Sequence, residues 1–101
     1  MKSLATTIRE SEKIREEAAR NGAEFLFTEL ETSNTFLNVA RTSRNDPAKF
    51  KRNLANARKG YDTLVRISAK LPLDAEDQQR FMKQLQKLKA DLEQEGEKFQ
   101  A

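Results

Sequence analysis

The sequence predicts an all-α protein in which a long N-terminal helix packs on an antiparallel helix hairpin, a bundle-like arrangement of three to four helices. Three observations predict this fold. Helix-breaking residues are rare, with three Gly and two Pro in 101 residues. The apolar residues between them recur three and four positions apart. Capping residues are found where the predicted segments begin. The length suits one domain. Leu, Ile, Val and Phe make up only 22 residues, so the core must be small.

The first predicted helix has its clearest pattern between residues 23 and 42. Leu26, Leu30 and Leu37 share one face, and Phe25, Phe36 and Val39 extend it into a broad face that we expect to be buried. Residues 32–35 read Thr-Ser-Asn-Thr. Such small polar residues form helices less readily but allow a neighbouring backbone to approach closely, and we expect the segment near Gly60 to be that neighbour.

Residues 1–22 admit two interpretations. Asn21-Gly22 could end a separate short helix, or one helix could continue to Thr42, since a lone Gly inside a helix costs only about 1 kcal/mol. The apolar pattern stays in phase across the junction, which favours the continuous helix. Its first half would then overhang the rest and expose Leu4, Ile8, Ile14 and Ala18. We therefore predict an N-terminal extension, residues 1–22, that frays or joins a homodimer, and a helical bundle domain, residues 23–101.

The second helix is predicted between Pro47 and Leu71. Asp46 is a suitable N-cap and Pro47 suits the first helical position. Pro72 prevents continuation, because it lacks an N–H group and restricts the residue before it. The apolar seam recurs with alternating steps of four and three, at Phe50, Leu54, Ala57, Tyr61, Leu64, Ser68 and Leu71.

The third helix is predicted from about Ala75 to Glu95. Asp74 can cap it, and Gly96 is the residue type favoured just past a helix end. Phe99 is expected to fold back onto the last turn. The interface between the second and third helices should bury five side chains: Leu54, Tyr61, Leu64, Leu85 and Leu88.

Composition excludes several classes of protein. The chain has no His, Cys or Trp, which excludes disulfide scaffolds, Cys/His zinc sites and His-based catalytic triads. Neither a phosphate-binding nor a dinucleotide-binding glycine motif occurs. We therefore expect no catalytic residue, no cofactor and no metal. No apolar run approaches a membrane span, and the alternating charges near Met1 do not suit a signal peptide, so we expect a cytoplasmic protein.

Charge is unevenly distributed along the chain. Residues 1–31 and 71–101 each carry a net charge of −2, whereas residues 41–70 carry +7. Arg52, Lys59 and Arg66 recur every seven residues, a candidate basic surface for nucleic acid. Internal charge matching is the favoured alternative. In that case Arg66 and Lys70 lie beside Glu76 and Asp77, and the basic group Lys49, Lys51 and Arg52 lies beside the acidic group Asp91, Glu93, Glu95 and Glu97.

The sequence thus predicts a non-enzymatic helical module for protein–protein interaction or assembly. Its partner would be another protein or a second copy of the chain. The alternative is a small nucleic-acid-binding protein that uses the basic middle helix. A weaker signal comes from amides that could cluster where the first two helices meet, namely Asn34, Asn38, Asn53 and Asn56.

Overall fold

Over residues 4–100 the computed structural model contains three helices, which confirms the all-α prediction. It describes the backbone of residues 4–100, and the side chains of residues 12, 13, 17 and 20–100. Helix α1 spans Leu4–Arg41, α2 spans Pro47–Ser68 and α3 spans Ala75–Gln94. Helix α1 continues through Asn21 and Gly22 without a break, so the continuous interpretation is correct. The division between residues 1–22 and 23–101 stays a prediction.

The predicted N-caps hold the first turns of α2 and α3. The Asp46 carboxylate accepts a hydrogen bond from the Lys49 backbone N–H at 3.2 Å, and Asp74 accepts one from the Asp77 N–H at 2.8 Å. Each bond satisfies a backbone donor that the helix itself leaves without a partner. Helix α2 ends at Ser68, three residues earlier than the apolar seam suggested, and the Lys70 N–H closes the final turn on the Ile67 carbonyl.

Helix α3 ends as predicted at a glycine. Gly96 has φ of +102°, a conformation that side chains strongly disfavour. The Gly96 N–H bonds to the Glu93 carbonyl and the Glu97 N–H to the Leu92 carbonyl, a Schellman motif that satisfies the last carbonyl groups. The chain then turns back as predicted, but Phe99 packs against the core beside Tyr61 and Arg58 of α2 rather than on the last turn of α3.

One apolar core joins the three helices. Among the described residues its fully covered members include Leu26, Leu30 and Leu37 from α1, Ala57 and Leu64 from α2, and Phe81, Leu85, Leu88 and Leu92 from α3. Of the five side chains predicted between α2 and α3, Leu64, Leu85 and Leu88 are buried. Leu54 and Tyr61 are half-buried at the edge of the core.

The tightest pairing joins α1 to α2, and α3 contacts both less closely. The sequence pattern had placed the main seam between α2 and α3. The difference arises at Ser33 and Gly60, where the two backbones approach so closely that a methyl group on Gly60 would overlap Ser33 Oγ and lie 3.0 Å from Ser33 Cβ. The expected approach of residues 32–35 to Gly60 is thereby confirmed. Ser33 Oγ is 3.0 Å from the Glu29 carbonyl, to which it donates.

Helix α1 extends beyond the rest of the bundle. Gly22 lies against the turn between α2 and α3, where a methyl group on this glycine would lie 3.7 Å from Leu71 Cβ and 3.8 Å from the Pro72 carbonyl oxygen. The helix continues from there back to Leu4, about 27 Å at 1.5 Å per residue. The molecule is correspondingly elongated, with principal extents of 67 × 25 × 18 Å.

Candidate functional site

The first candidate surface is the half of α1 that projects past the turn between α2 and α3. Its backbone is helical from Leu4 onward. The side chains of the predicted interaction residues Leu4, Ile8, Ile14 and Ala18 lie outside the described residues. The structure therefore places these four positions on a projecting helix, and their role as an interaction surface stays a prediction.

Phe25 stands at the base of this projection and is 45% exposed. The sequence pattern had assigned Phe25 to a buried face, which is wrong, because α2 and the turn after it pack on the side of α1 that carries Gly22 and Ser33 and leave Phe25 at the margin. Positions 14, 18 and 25 are separated by close to whole numbers of helical turns. Phe25 therefore continues the line of apolar positions Ile14 and Ala18 from the projecting half of α1 onto the bundle. Sequence reasoning missed Phe25 as a candidate surface residue, because the apolar spacing does not indicate its exposure.

The second candidate surface is the outward side of α2. Arg52, Lys59 and Arg66, the basic surface predicted from the sequence, are all exposed. None of the three forms a salt bridge with another residue whose side chain is described.

Internal charge matching does occur at the C-terminal end of α3, with different basic partners from those predicted. Arg41 Nε lies 3.1 Å from Glu95 Oε1, and Arg44 also pairs with this carboxylate. The Glu95 side chain is only 4% exposed, so the two arginines compensate a nearly buried charge. Arg41 also reaches Asp91 at 3.6 Å.

The predicted pairing of Lys49, Lys51 and Arg52 with this acidic group is wrong. Helices α1 and α3 run in the same direction, which brings the last turn of α1 beside the last turn of α3. Arg41 and Arg44 therefore reach the carboxylates instead. Arg58 is the residue of α2 that contributes, at 3.8 Å from Glu97.

The predicted matching near the turn between α2 and α3 is also not observed. Asp77 pairs with Arg80 of its own helix at 3.5 Å rather than with Arg66 or Lys70. A partner three residues away is a near neighbour on the same helix face, whereas Arg66 and Lys70 point outward and are exposed. Most of the basic charge of α2 is therefore left outside the internal network.

The structure separates two of the four amides that could cluster. Asn34 lines a groove between α1 and α3, whereas Asn56 lines the groove between α1 and α2. Asn53 is buried and donates from Nδ2 to the Lys49 carbonyl at 2.8 Å, so its amide nitrogen bonds within α2. These three positions therefore give no shared amide site.

Tyr61 is held by the segment that follows α3. Its ring meets Phe99 edge to face with centroids 5.0 Å apart, and the Arg58 guanidinium lies 3.9 Å from the centre of the Phe99 ring. Arg58 also donates to the Lys98 carbonyl at 2.7 Å. Burial raises the pKa of the Tyr61 hydroxyl above its usual value, with a further increase from the Asp62 carboxylate. These contacts place Tyr61 at the edge of the core, where its side chain is half-buried rather than buried as predicted.

Two further features of the described residues bear on chemistry. No three Asp or Glu side chains among them are grouped so that they could hold a metal ion. No described helix combines the length and apolarity needed to cross a membrane.

Comparisons with protein-family models, curated proteins and solved structures find no match to this chain.

Proposed function

We propose that this protein is a non-enzymatic helical assembly module that forms a homodimer through the projecting half of α1. The observation that carries the proposal is the difference in helix length. Helix α1 has 38 residues, whereas α2 has 22 and α3 has 20, and the turn between α2 and α3 lies beside Gly22, 18 residues after the start of α1.

The N-terminal part of α1 extends about 27 Å past the level of Gly22, beyond the lengths of the two shorter helices. In proteins most helical stability comes from packing of an apolar face rather than from intrinsic propensity. The positions Leu4, Ile8, Ile14 and Ala18 supply a sparse face of this kind, and exposed Phe25 adds to it at the bundle end. A partner helix that covers this face would stabilise the projection.

The charge of the projecting segment supports a second copy as that partner. Residues 1–22 contain five basic and four acidic residues, interspersed along the helix. Two copies can therefore approach without strong net repulsion, and opposite charges can be brought together along the pair. A twofold dimer lets one patch serve both chains and is the commonest form of association.

The test is the oligomeric state of the full chain, measured by light scattering at about 100 μM, where a dimer of micromolar affinity is almost fully formed. We expect twice the 11.6 kDa mass of the chain. The double variant Ile14→Glu, Phe25→Glu should be monomeric, because charge is placed on the paired face.

The matched control is Val65→Glu, Met82→Glu, which alters two apolar side chains that are each 44% exposed on α2 and α3. The control should stay dimeric, and circular dichroism should show that both variants are folded. A wild-type monomer at this concentration would overturn the proposal, as would equal dissociation of the control.

A further inference from the structure

The salt bridges of the bundle use few of the basic residues of α2. Asp91 and Glu95 pair with Arg41 and Arg44, and Asp77 pairs with Arg80. Asp62, the one acidic residue within α2, lies 3.1 Å from Arg58. The outward charges Arg52, Lys59 and Arg66 are thereby left uncompensated among the described residues, and Lys51 and Lys70, both exposed, add to them.

These three charges form a straight row. Successive members are seven residues apart, close to two full turns, so they lie on one face at intervals of about 10.5 Å. The buried residues Asn53, Ala57 and Leu64 occupy the opposite side of the helix. The row therefore runs about 21 Å along the surface.

The row borders a polar groove between α1 and α2. Lys59 lines this groove together with Asn56 and Thr63 of α2 and with Glu29 and Thr32 of α1. The Thr32 hydroxyl donates to the Thr28 carbonyl at 3.0 Å, and the Glu29 carboxylate would repel a phosphate, so the donors to phosphate come from the α2 side of the groove. Asn56 is exposed there, and an amide group is a common donor to phosphate oxygens.

We propose that the outward face of α2 binds the phosphate backbone of a nucleic-acid duplex without regard to base sequence. A row of about 21 Å covers roughly six base pairs at about 3.4 Å each. Its three cations suit contacts with phosphates, which position a protein on the duplex without reading the base sequence. This surface lies on α2 and is distinct from the projecting half of α1, so it does not depend on the proposed dimer.

The chemistry of the face favours a duplex over other polyanions. Single-strand binding surfaces use aromatic side chains on which bases stack. Of the two aromatic rings of α2, Tyr61 packs against the core and Phe50 is half-buried. Membrane-surface helices insert large apolar residues opposite a charged face, whereas the side of α2 opposite the row packs inside the bundle. Contact with phosphates along a rigid duplex needs neither exposed aromatic rings nor inserted apolar side chains.

The experiment is a fluorescence anisotropy titration of a labelled 20-base-pair duplex of arbitrary sequence with the full chain. The test variant is Arg52→Gln, Lys59→Gln, Arg66→Gln. The matched control is Lys83→Gln, Lys87→Gln, Lys98→Gln, which removes the same charge from exposed positions on and beyond α3. Circular dichroism and light scattering report whether each variant keeps the fold and oligomeric state of the wild type.

For three phosphate contacts the slope of log K against log salt is about −2.7, which means roughly a 40-fold loss of affinity between 50 and 200 mM salt. The test variant should lose at least about tenfold in affinity at 50 mM salt and most of this slope, while the control keeps both. Three results would overturn the proposal: no duplex binding at 50 mM salt, equal losses in the control, or binding to phosphatidylserine-containing vesicles in place of the duplex. Since oligomeric state is measured separately, a monomeric protein that binds duplex would refute the dimer alone.

Discussion

The close approach of α1 and α2 predicts that the substitution Gly60→Ala destabilises the protein. In most helix interiors this substitution stabilises a protein, because Ala is favoured over Gly by about 1 kcal/mol. Here the added methyl group would overlap Ser33 Oγ and lie 3.0 Å from Ser33 Cβ. Ser33 is only 2% exposed, so its hydroxyl has little room to move.

The magnitude follows from three contributions. Overpacking of a tight site costs about 1–3 kcal/mol. Rotation of Ser33 Oγ away from its bond to the Glu29 carbonyl would leave a buried hydroxyl without a partner, at about 1–3 kcal/mol. The gain in helix propensity offsets about 1 kcal/mol of this. We expect a net loss of about 3 kcal/mol, or a fall in Tm of roughly 12–24 °C for a domain of this size.

Urea denaturation followed by circular dichroism measures the effect, with Gly22→Ala as the matched control. A methyl group on Gly22 would meet Leu71 at 3.7 Å, an ordinary contact, so this variant should be up to about 1 kcal/mol more stable. In a Ser33→Ala background the hydroxyl is gone, and Gly60→Ala should cost about 1 kcal/mol less than in the wild type. A stabilised Gly60→Ala variant, or an undiminished cost in the Ser33→Ala background, would refute the close crossing.

Two other predictions concern the core and its rim. Leu64→Ala and Leu85→Ala should each lower the free energy of unfolding by about 2–5 kcal/mol, because both side chains are buried in the shared core; urea midpoints equal to that of the wild type would show that the core is assigned incorrectly. The pKa of Tyr61 is raised by burial and then by Asp62, so the folded chain holds this proton more tightly than the unfolded chain. The resulting stability is complete below about pH 10 and is lost as pH rises through the raised pKa. Urea midpoints should therefore fall less steeply above about pH 10 in Tyr61→Phe than in the wild type; parallel curves would contradict this.

Local signals were sufficient to predict the helices and most of their ends. Asp46, Asp74 and Gly96 act through hydrogen bonds to backbone groups within a few residues, so their effects depend little on the rest of the fold. The phase of the apolar residues also indicated correctly that α1 continues through Gly22. The end of α2 was placed three residues too late, because apolar Leu71 packs on the core from the turn rather than from the helix.

The candidate surfaces were predicted in part. The recurrence of Arg52, Lys59 and Arg66 every seven residues follows from the sequence alone, and so does the excess of α1 length over the other two helices. Which acidic residues would neutralise which basic ones did not follow, since ion pairs depend on where long side chains from different helices meet. The exposure of Phe25 depended likewise on which neighbouring positions α2 would cover.

The sequence by itself determined the all-α class, the caps of α2 and α3 and most of the apolar stripe of each helix, because these depend on backbone geometry and on spacing along one segment. Only the tertiary structure decided that α1 and α2 form the closest pair, since that choice depends on small residues, Ser33 and Gly60, meeting across two helices. The same packing brings Arg41 and Arg44 to Glu95 and leaves the row on α2 uncompensated among the described residues. Pairing between helices is set by shape and reach in three dimensions, which a one-dimensional pattern of apolar residues does not contain.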